Sequence, residues 1–302
     1  MGKSALTSRL VNGVLSIPPI YNFAKSRARN MMIKRAESIG VPWRDRVATL
    51  KQHDWESELA TVKNPNLDYP KYYLRSFHAY DQGNLSWDAA LEVEVAAYAV
   101  HAKLWENAGV EGDRRLRNSY HQVLQEKLPF TPQNIVDLGC SVGMSSFALQ
   151  EQYPEAEVTG VDLSPYFLSV AQYRAREQQF NIRWHHSPAE DTSLPKASYD
   201  LVSACLIFHE LPQKAAKAIF AEAKRLLKPG GYFCLMDMNP RSPVYQKMPP
   251  YVFTLLKSTE PYLDEYFTLN VDQSLTEAGF APPTIVPNSP RHRTILARNQ
   301  TN

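Results

Sequence analysis

Residues 134–145 read NIVDLGCSVGMS, and this stretch decides how the rest of the chain is interpreted. Ile135 and Val136 form a short apolar run suited to a buried parallel strand, Asp137 stands at its carboxyl end, and Gly139 and Gly143 permit a tight turn before a helix. Backbone N–H groups exposed after such a strand make a docking place for a nucleotide-like ligand. Outward from this point the pattern alternates. It predicts strands over 134–138, 157–162, 182–186, 199–205 and 231–238, and helices over 144–152, 165–178 and 212–227. That is the signature of an α/β parallel sheet. Ser164 before Pro165, and Pro212, mark two of the helix starts.

The second predicted strand, EVTGVD, ends in Asp162, 25 residues after Asp137. A carboxylate there matches two vicinal ribose hydroxyls, whether the ligand is a nicotinamide dinucleotide or S-adenosylmethionine. The glycines separate the two. A dinucleotide loop needs G-x-G-x-x-G to seat a pyrophosphate, whereas this loop has Gly139-x-x-x-Gly143 with Ser141 between. Asp137 ahead of the first glycine fits a cofactor with a cationic amino-acid end.

Four segments in order, VDLGCSVG, VTGVDLSP, SYDLVSACLIFHEL and RLLKPGGYF, resemble the motifs of class I S-adenosylmethionine-dependent methyltransferases over about residues 115–302. The resemblance implies a Rossmann-like, mostly parallel sheet of seven strands, the last two an antiparallel pair near 283–287 and 294–298. More loosely, the chain is similar to small-molecule methyltransferases of the ubiquinone and menaquinone type, and its N-terminal third to one found on such enzymes in cyanobacteria and plastids. The resemblance implies that Asp137, Gly139, Cys140 and Gly143 surround the methionine part of the cofactor, that Asp162 binds ribose and that Leu163 packs on adenine. It also implies that the Ala189 backbone and the Glu190 carboxylate meet the adenine edge. Cys205, at the end of the fourth strand, is placed beside the cofactor, with a role in core packing as its alternative. Ser141 and Pro188 depart from the family pattern, standing where a glycine and an aspartate are common.

For catalysis the chief requirement is placement, because a sulfonium methyl is already electrophilic. An oxygen or carbon acceptor also has to lose a proton. His209, in LIFHELP just beyond the fourth strand, has an ordinary pKa of about 6.5 that suits this task. A helix-capping role is its alternative. Glu210 either orients His209 or starts the next helix; His78 and Asp237 are weaker candidates. No metal is called for.

The 302 residues are 44% hydrophobic, enough for one substantial core with an appendage. Three cysteines without CxxC spacing point to a reducing, cytoplasmic compartment. The formal net charge of +2 argues against general nucleic-acid binding. Seven basic and no acidic residues fall within 1–35, however. The apolar spacing from Ile20 to Ile39 predicts a helix with a basic face. Such a helix packs on the main domain, lies on an anionic membrane, or belongs to a targeting segment.

Further helices are predicted over 87–105, capped by Ser86, and over about 114–128. Between the first two helices, residues 64–87 are aromatic and aperiodic, an ordered irregular segment. The expected organisation is thus an N-terminal helical region, 1–114, that caps the substrate or touches a membrane, and a cofactor domain, 115–302. The aromatic stretch 239–269 is expected to form a lid over an apolar acceptor, or else a homodimer contact. The leading expectation is methyl transfer to an apolar small molecule that is quinone-like, prenylated or aromatic. A cofactor-binding scaffold without turnover and a nicotinamide oxidoreductase are the alternatives.

Overall fold

The computed structural model describes residues 18–77 and 80–300. The sheet is assembled from β1 (Asn134–Leu138), β2 (Glu157–Asp162), β3 (Arg183–His186), β4 (Tyr199–Cys205), β5 (Leu227–Met238), β6 (Thr284–Pro287) and β7 (His292–Arg298). Their order is β3-β2-β1-β4-β5-β7-β6. The first five run parallel; β7 is antiparallel to both β5 and β6. The strand order reverses between β1 and β4, and ligands of open α/β sheets bind in the crevice outside the carboxyl ends at such a point.

Alternation along each strand fills both faces. Val136, Phe233 and Ile295 enter one apolar cluster, while Ile135, Cys234 and Leu296 enter the other. The first cluster includes Ile219 and Phe220, the second Leu116, Tyr120 and Leu149. They come from α8 (Gln213–Leu226), α5 (Gly112–Lys127) and α6 (Met144–Gln152). A further helix, α7 (Pro165–Glu177), is capped as expected: Phe167 N–H donates to Ser164 Oγ at 3.3 Å. β5 begins at Leu227, four residues before the predicted start, because the turn LKPGG already pairs, Leu227 with Tyr199.

The N-terminal region is α1 (Pro18–Ser38), α2 (Trp43–Leu50), α3 (Trp55–Val62) and α4 (Trp87–His101). The two eight-residue helices, α2 and α3, fall in a stretch to which sequence reading assigned no element. Each buries a tryptophan, Trp43 or Trp55, and the Asp54 carboxylate caps α3 by accepting from Ser57 N–H. Ser86 caps α4, which ends at His101 rather than Trp105.

Ile33 and Ala36 of α1 are buried with Val95 and Ala99 of α4. The Arg29 guanidinium pairs with the buried Glu92 carboxylate. The packed-helix reading therefore holds for residues 29–38. No helix among the described residues is long and apolar enough to cross a membrane.

The stretch 239–269 is largely helical, as α9 (Pro243–Gln246), α10 (Pro250–Thr259) and α11 (Leu263–Thr268), followed by α12 (Val271–Glu277). Leu263 and Tyr266 anchor it in the first cluster, and the Tyr266 hydroxyl donates to the Met238 carbonyl at 2.7 Å. It leads from the end of β5 back over the carboxyl edge of the sheet.

Candidate active site

The loop after β1 is shaped by its glycines. Gly139 (φ +69°) and Gly143 (φ +87°) lie in the left-handed region, and a Cβ on either would come within 2.6 Å of the Ile207 side chain or 2.8 Å of Phe147 and Trp184. Ser141, at φ +52°, donates its N–H to Asp162 Oδ2 at 2.8 Å, and Ser164 N–H donates to Asp162 Oδ1 at 2.8 Å. Asp162 thus ties the two loops together. Both its oxygens keep lone pairs for a ligand.

Asp137 is fully buried. Its Oδ2 accepts from the Ser145 and Ser146 hydroxyls at 2.6 and 2.7 Å, while Oδ1 has no hydrogen-bond partner. Ser141 Oγ is likewise buried without a partner. Burial raises the carboxyls of Asp137 and Asp162 to about 6. A buried acid in this condition gains from a cation or hydroxyl donors brought by a ligand.

Near Asp137 lies a cation that sequence reading missed. Arg117, on α5, is held by Asp113, whose Oδ2 accepts from Nε at 2.8 Å and whose Oδ1 accepts from His101 Nδ1 at 2.7 Å. Despite burial, Arg117 and His101 keep the Asp113 carboxyl well below the usual range. Electrostatic coupling links Arg117 to Asp137 and Cys205. The i, i+4 spacing of Asp113 and Arg117 was the visible signal, but surface helices carry such pairs routinely.

Cys140 is buried, and desolvation pushes its thiol up, as it does for Cys205, which is half-buried at the end of β4. Both are therefore passive as nucleophiles. Leu163 is buried, and its carbonyl accepts from His186 Nε2 at 3.0 Å. The other ring nitrogen of His186 accepts from Asn64 N–H at 2.9 Å, drawing the N-terminal region to this end of the sheet. Ala189 and Glu190 stand nearby, half-buried. The Glu190 carboxylate accepts from the Tyr72 hydroxyl. Tyr73 stands beside Tyr69 and Tyr72, with ring centroids 6.4 Å away in each case, and is coupled electrostatically to Asp162 and Glu210.

Across the switch point, Leu206 takes a positive φ of 60°, rare for a bulky residue, as the chain leaves β4 for a 3-10 turn, Phe208–Glu210. His209 Nδ1 donates to Asp237 Oδ1 at 2.7 Å. Asp237, at the end of β5, also accepts from the N–H of Phe208 at 2.8 Å and of Met238 at 2.6 Å.

The hydrogen-bonded partner of His209 is thus Asp237, through the nitrogen facing away, while Glu210 Oε1 stands 4.0 Å from Nε2 as a longer ion pair. Adjacent residues on a tight turn diverge, while the neighbouring parallel strand brings Asp237 alongside. Burial disfavours the imidazolium, yet Asp237, Glu260 and Glu210 together carry its pKa up to about 10. His78 lies outside the described residues.

A family model described as a methyltransferase domain matches residues 135–231. An uncharacterized methyltransferase of Synechocystis is 29% identical over 184 residues, 61% of this chain and 81% of that one. A ubiquinone biosynthesis O-methyltransferase of Coxiella burnetii is 28% identical over 175 residues, 56% of this chain and 73% of its own length. A crystal structure from Nostoc punctiforme, provisionally described as an O-methyltransferase, aligns with a TM-score of 0.55 at 18% identity. It covers 81% of this chain and 67% of that one, and speaks to the fold. With the sheet order, the two loop carboxylates and these relatives in agreement, the chain belongs to the class I S-adenosylmethionine-dependent methyltransferases.

Proposed function

We propose that this enzyme methylates a hydroxyl of a small, mostly apolar acceptor, with residues 115–302 holding the cofactor and residues 1–114 helping to choose the acceptor. The observation that carries the reading is the His209–Asp237 pair at the carboxyl edge, a half-buried imidazole whose Nδ1 is fixed by Asp237 and whose Nε2 stands 4.0 Å from Glu210, beyond hydrogen-bond reach. Aromatic side chains above that edge support an apolar acceptor. Phe253 and Tyr245 pack on Phe267 with centroids 5.2 and 5.3 Å away, and Tyr262 meets Tyr72 edge to face at 6.3 Å.

The residues present fit the cofactor. The unpartnered Asp137 Oδ1 suits the amino group of its methionine end, and Arg117 suits the carboxylate. In the same reading Asp162 takes the ribose hydroxyls, Gly139, Cys140 and Gly143 give the close backbone approach, Cys205 borders the methionine end, and Leu163 packs on adenine. Ala189 and Glu190 meet the adenine edge, and Glu190 shares its carboxylate with Tyr72.

When bound, S-adenosylmethionine supplies an electrophilic methyl on a cationic sulfur. The remaining work falls to the chain. Asp237 holds the Nδ1–H tautomer, which leaves Nε2 to take the acceptor's proton. With a pKa near 10 that nitrogen is protonated at neutral pH in the cofactor-free protein. A positive charge placed in the crevice opposes the imidazolium and brings the base into its working form. The stretch 239–269 and residues 64–77 exclude water over this edge.

Incubating the protein with cell extract and an isotopically labelled methyl donor, followed by mass spectrometry of the labelled product, tests the reading. A labelled small apolar ether is the expected product; a labelled protein, nucleic acid or amine would contradict it.

Contact with an anionic membrane is a second reading, favoured by one observation. Arg27, Met31 and Lys34 lie on an exposed face of α1, Met31 being 57% exposed.

A further inference from the structure

At the edge just described, donor atoms from two separate parts of the chain converge. His209 and Glu210 stand on the turn after β4, and Glu260 follows the last residue of α10. One ligand atom from each lies within 4.8 Å of the other two. His209 Nε2 and Glu210 Oε1, at 4.0 Å, are too far apart to hydrogen-bond. Two ligands of one cation with bonds of about 2.1 Å stand roughly 3–4 Å apart, so small side-chain rotations suffice to close this set.

The imidazole is also supported as metal-bound histidines usually are. Its far nitrogen donates to Asp237 at 2.7 Å, and Asp237 is itself pinned by the backbone of Phe208 and Met238. Glu210 is steadied at its other oxygen by Asn84 Nδ2 at 3.5 Å. Three carboxylates, Asp237, Glu210 and Glu260, therefore surround a single imidazole in a largely buried space. One nitrogen and two carboxylate donors suit a first-row divalent ion better than calcium.

We propose that His209 Nε2, Glu210 and Glu260 bind one divalent first-row cation, Mn²⁺ or Zn²⁺, with Asp237 as the supporting carboxylate. The inference rests on the reading of this edge as the acceptor site. With the cation present, His209 Nε2, Glu210 and Glu260 would hold it, and the ion would supply Lewis-acid activation of an acceptor hydroxyl in place of the base role of Nε2. Glu260 belongs to the stretch 239–269, so the ion also ties that stretch to the sheet.

The test uses the full chain, stripped with a chelator and titrated with MnCl₂, following free Mn²⁺ by electron paramagnetic resonance and heat by calorimetry. One saturable Mn²⁺ per chain is expected. Glu260→Gln and Glu210→Gln should each weaken it at least tenfold, and Asp237→Asn by about 10–100-fold, with circular dichroism and S-adenosylhomocysteine binding confirming that each variant is folded. No saturable Mn²⁺ binding, or binding unchanged in both glutamine variants, overturns the proposal. Methyl transfer by a protein that binds no Mn²⁺ also overturns it, and leaves the reading of His209 as the base intact.

Discussion

The two ends of the crevice are built in different ways. At the cofactor end, a continuous run from Asp137 to Ser164 supplies both carboxylates, both glycines and the backbone donors that lock the loops together. At the acceptor end the parts come from separate elements: His209 after β4, Asp237 on β5, Glu260 in the stretch 239–269, and Asn84 and Tyr73 from the N-terminal region. A common cofactor is recognised mainly by backbone and short loops, whereas the group that varies between enzymes is met by whatever the chain folds over the edge. The two ends should therefore fail separately when altered.

The largest effect is expected at the acceptor end. Asp237→Asn should lower kcat by about 10²–10⁴-fold, the scale of general acid–base catalysis. It should also move the midpoint of the rising limb of the kcat/KM–pH profile, which reports the free enzyme, downward from near 10, because a negative charge that raises the His209 pKa is gone. Stopped-assay rates across pH check both; an unchanged midpoint would break the assignment of Asp237 as partner.

At the cofactor end, Asp162→Ala should weaken S-adenosylhomocysteine binding by about 1.5–3 kcal/mol, the worth of hydrogen bonds to a charged group, leaving the acceptor KM alone. Calorimetry reads this directly. A pH effect should accompany it. Asp137 and Asp162 have carboxyl pKa values raised by burial to about 6, and the ligand favours their ionised forms. Affinity is therefore retained above that pH and falls as pH drops through about 6, by up to tenfold per unit for each group. Flat affinity between pH 5 and 7 would contradict the placing of the cofactor's amino group on Asp137.

A smaller effect sharpens the boundary between the ends. Tyr72→Phe removes the hydroxyl that occupies Glu190 and should change cofactor affinity by about 1 kcal/mol with kcat nearly constant. The smallest concerns α1: charge reversal at Arg27 and Lys34 should reduce retention on anionic vesicles while leaving cofactor affinity unchanged, and equal retention would remove the membrane reading.

The same contrast governs what the sequence made legible. The five parallel strands and the cofactor loop follow from local patterns, since an apolar run, an acid and a glycine turn act within a dozen residues, whereas the final antiparallel pair is implied by the family resemblance. Asp137 and Asp162 were readable for that reason. Arg117 was not, because its importance depends on α5 packing beneath β1, and an i, i+4 pair with Asp113 looks like ordinary surface chemistry. Asp237 reaches His209 only because β5 lies beside β4 in the sheet, a proximity that a separation of 28 residues in sequence conceals. Glu260 and Tyr72 reach the crevice only through tertiary folding, and neither lies in a motif. α2 and α3 are stabilised by tryptophans that pack on α4 or α7, a cause invisible in an eight-residue window.

The central claim is that cofactor binding and proton removal belong to separate, nonequivalent ends of one crevice. Measuring S-adenosylhomocysteine affinity and kcat side by side in His209→Asn and Asp162→Ala tests it most directly. The account predicts a crossed result, with His209→Asn losing turnover by at least 10²-fold at unchanged affinity and Asp162→Ala losing affinity at nearly unchanged kcat under saturation. Loss of affinity in His209→Asn equal to that in Asp162→Ala, or full turnover in His209→Asn, would contradict it.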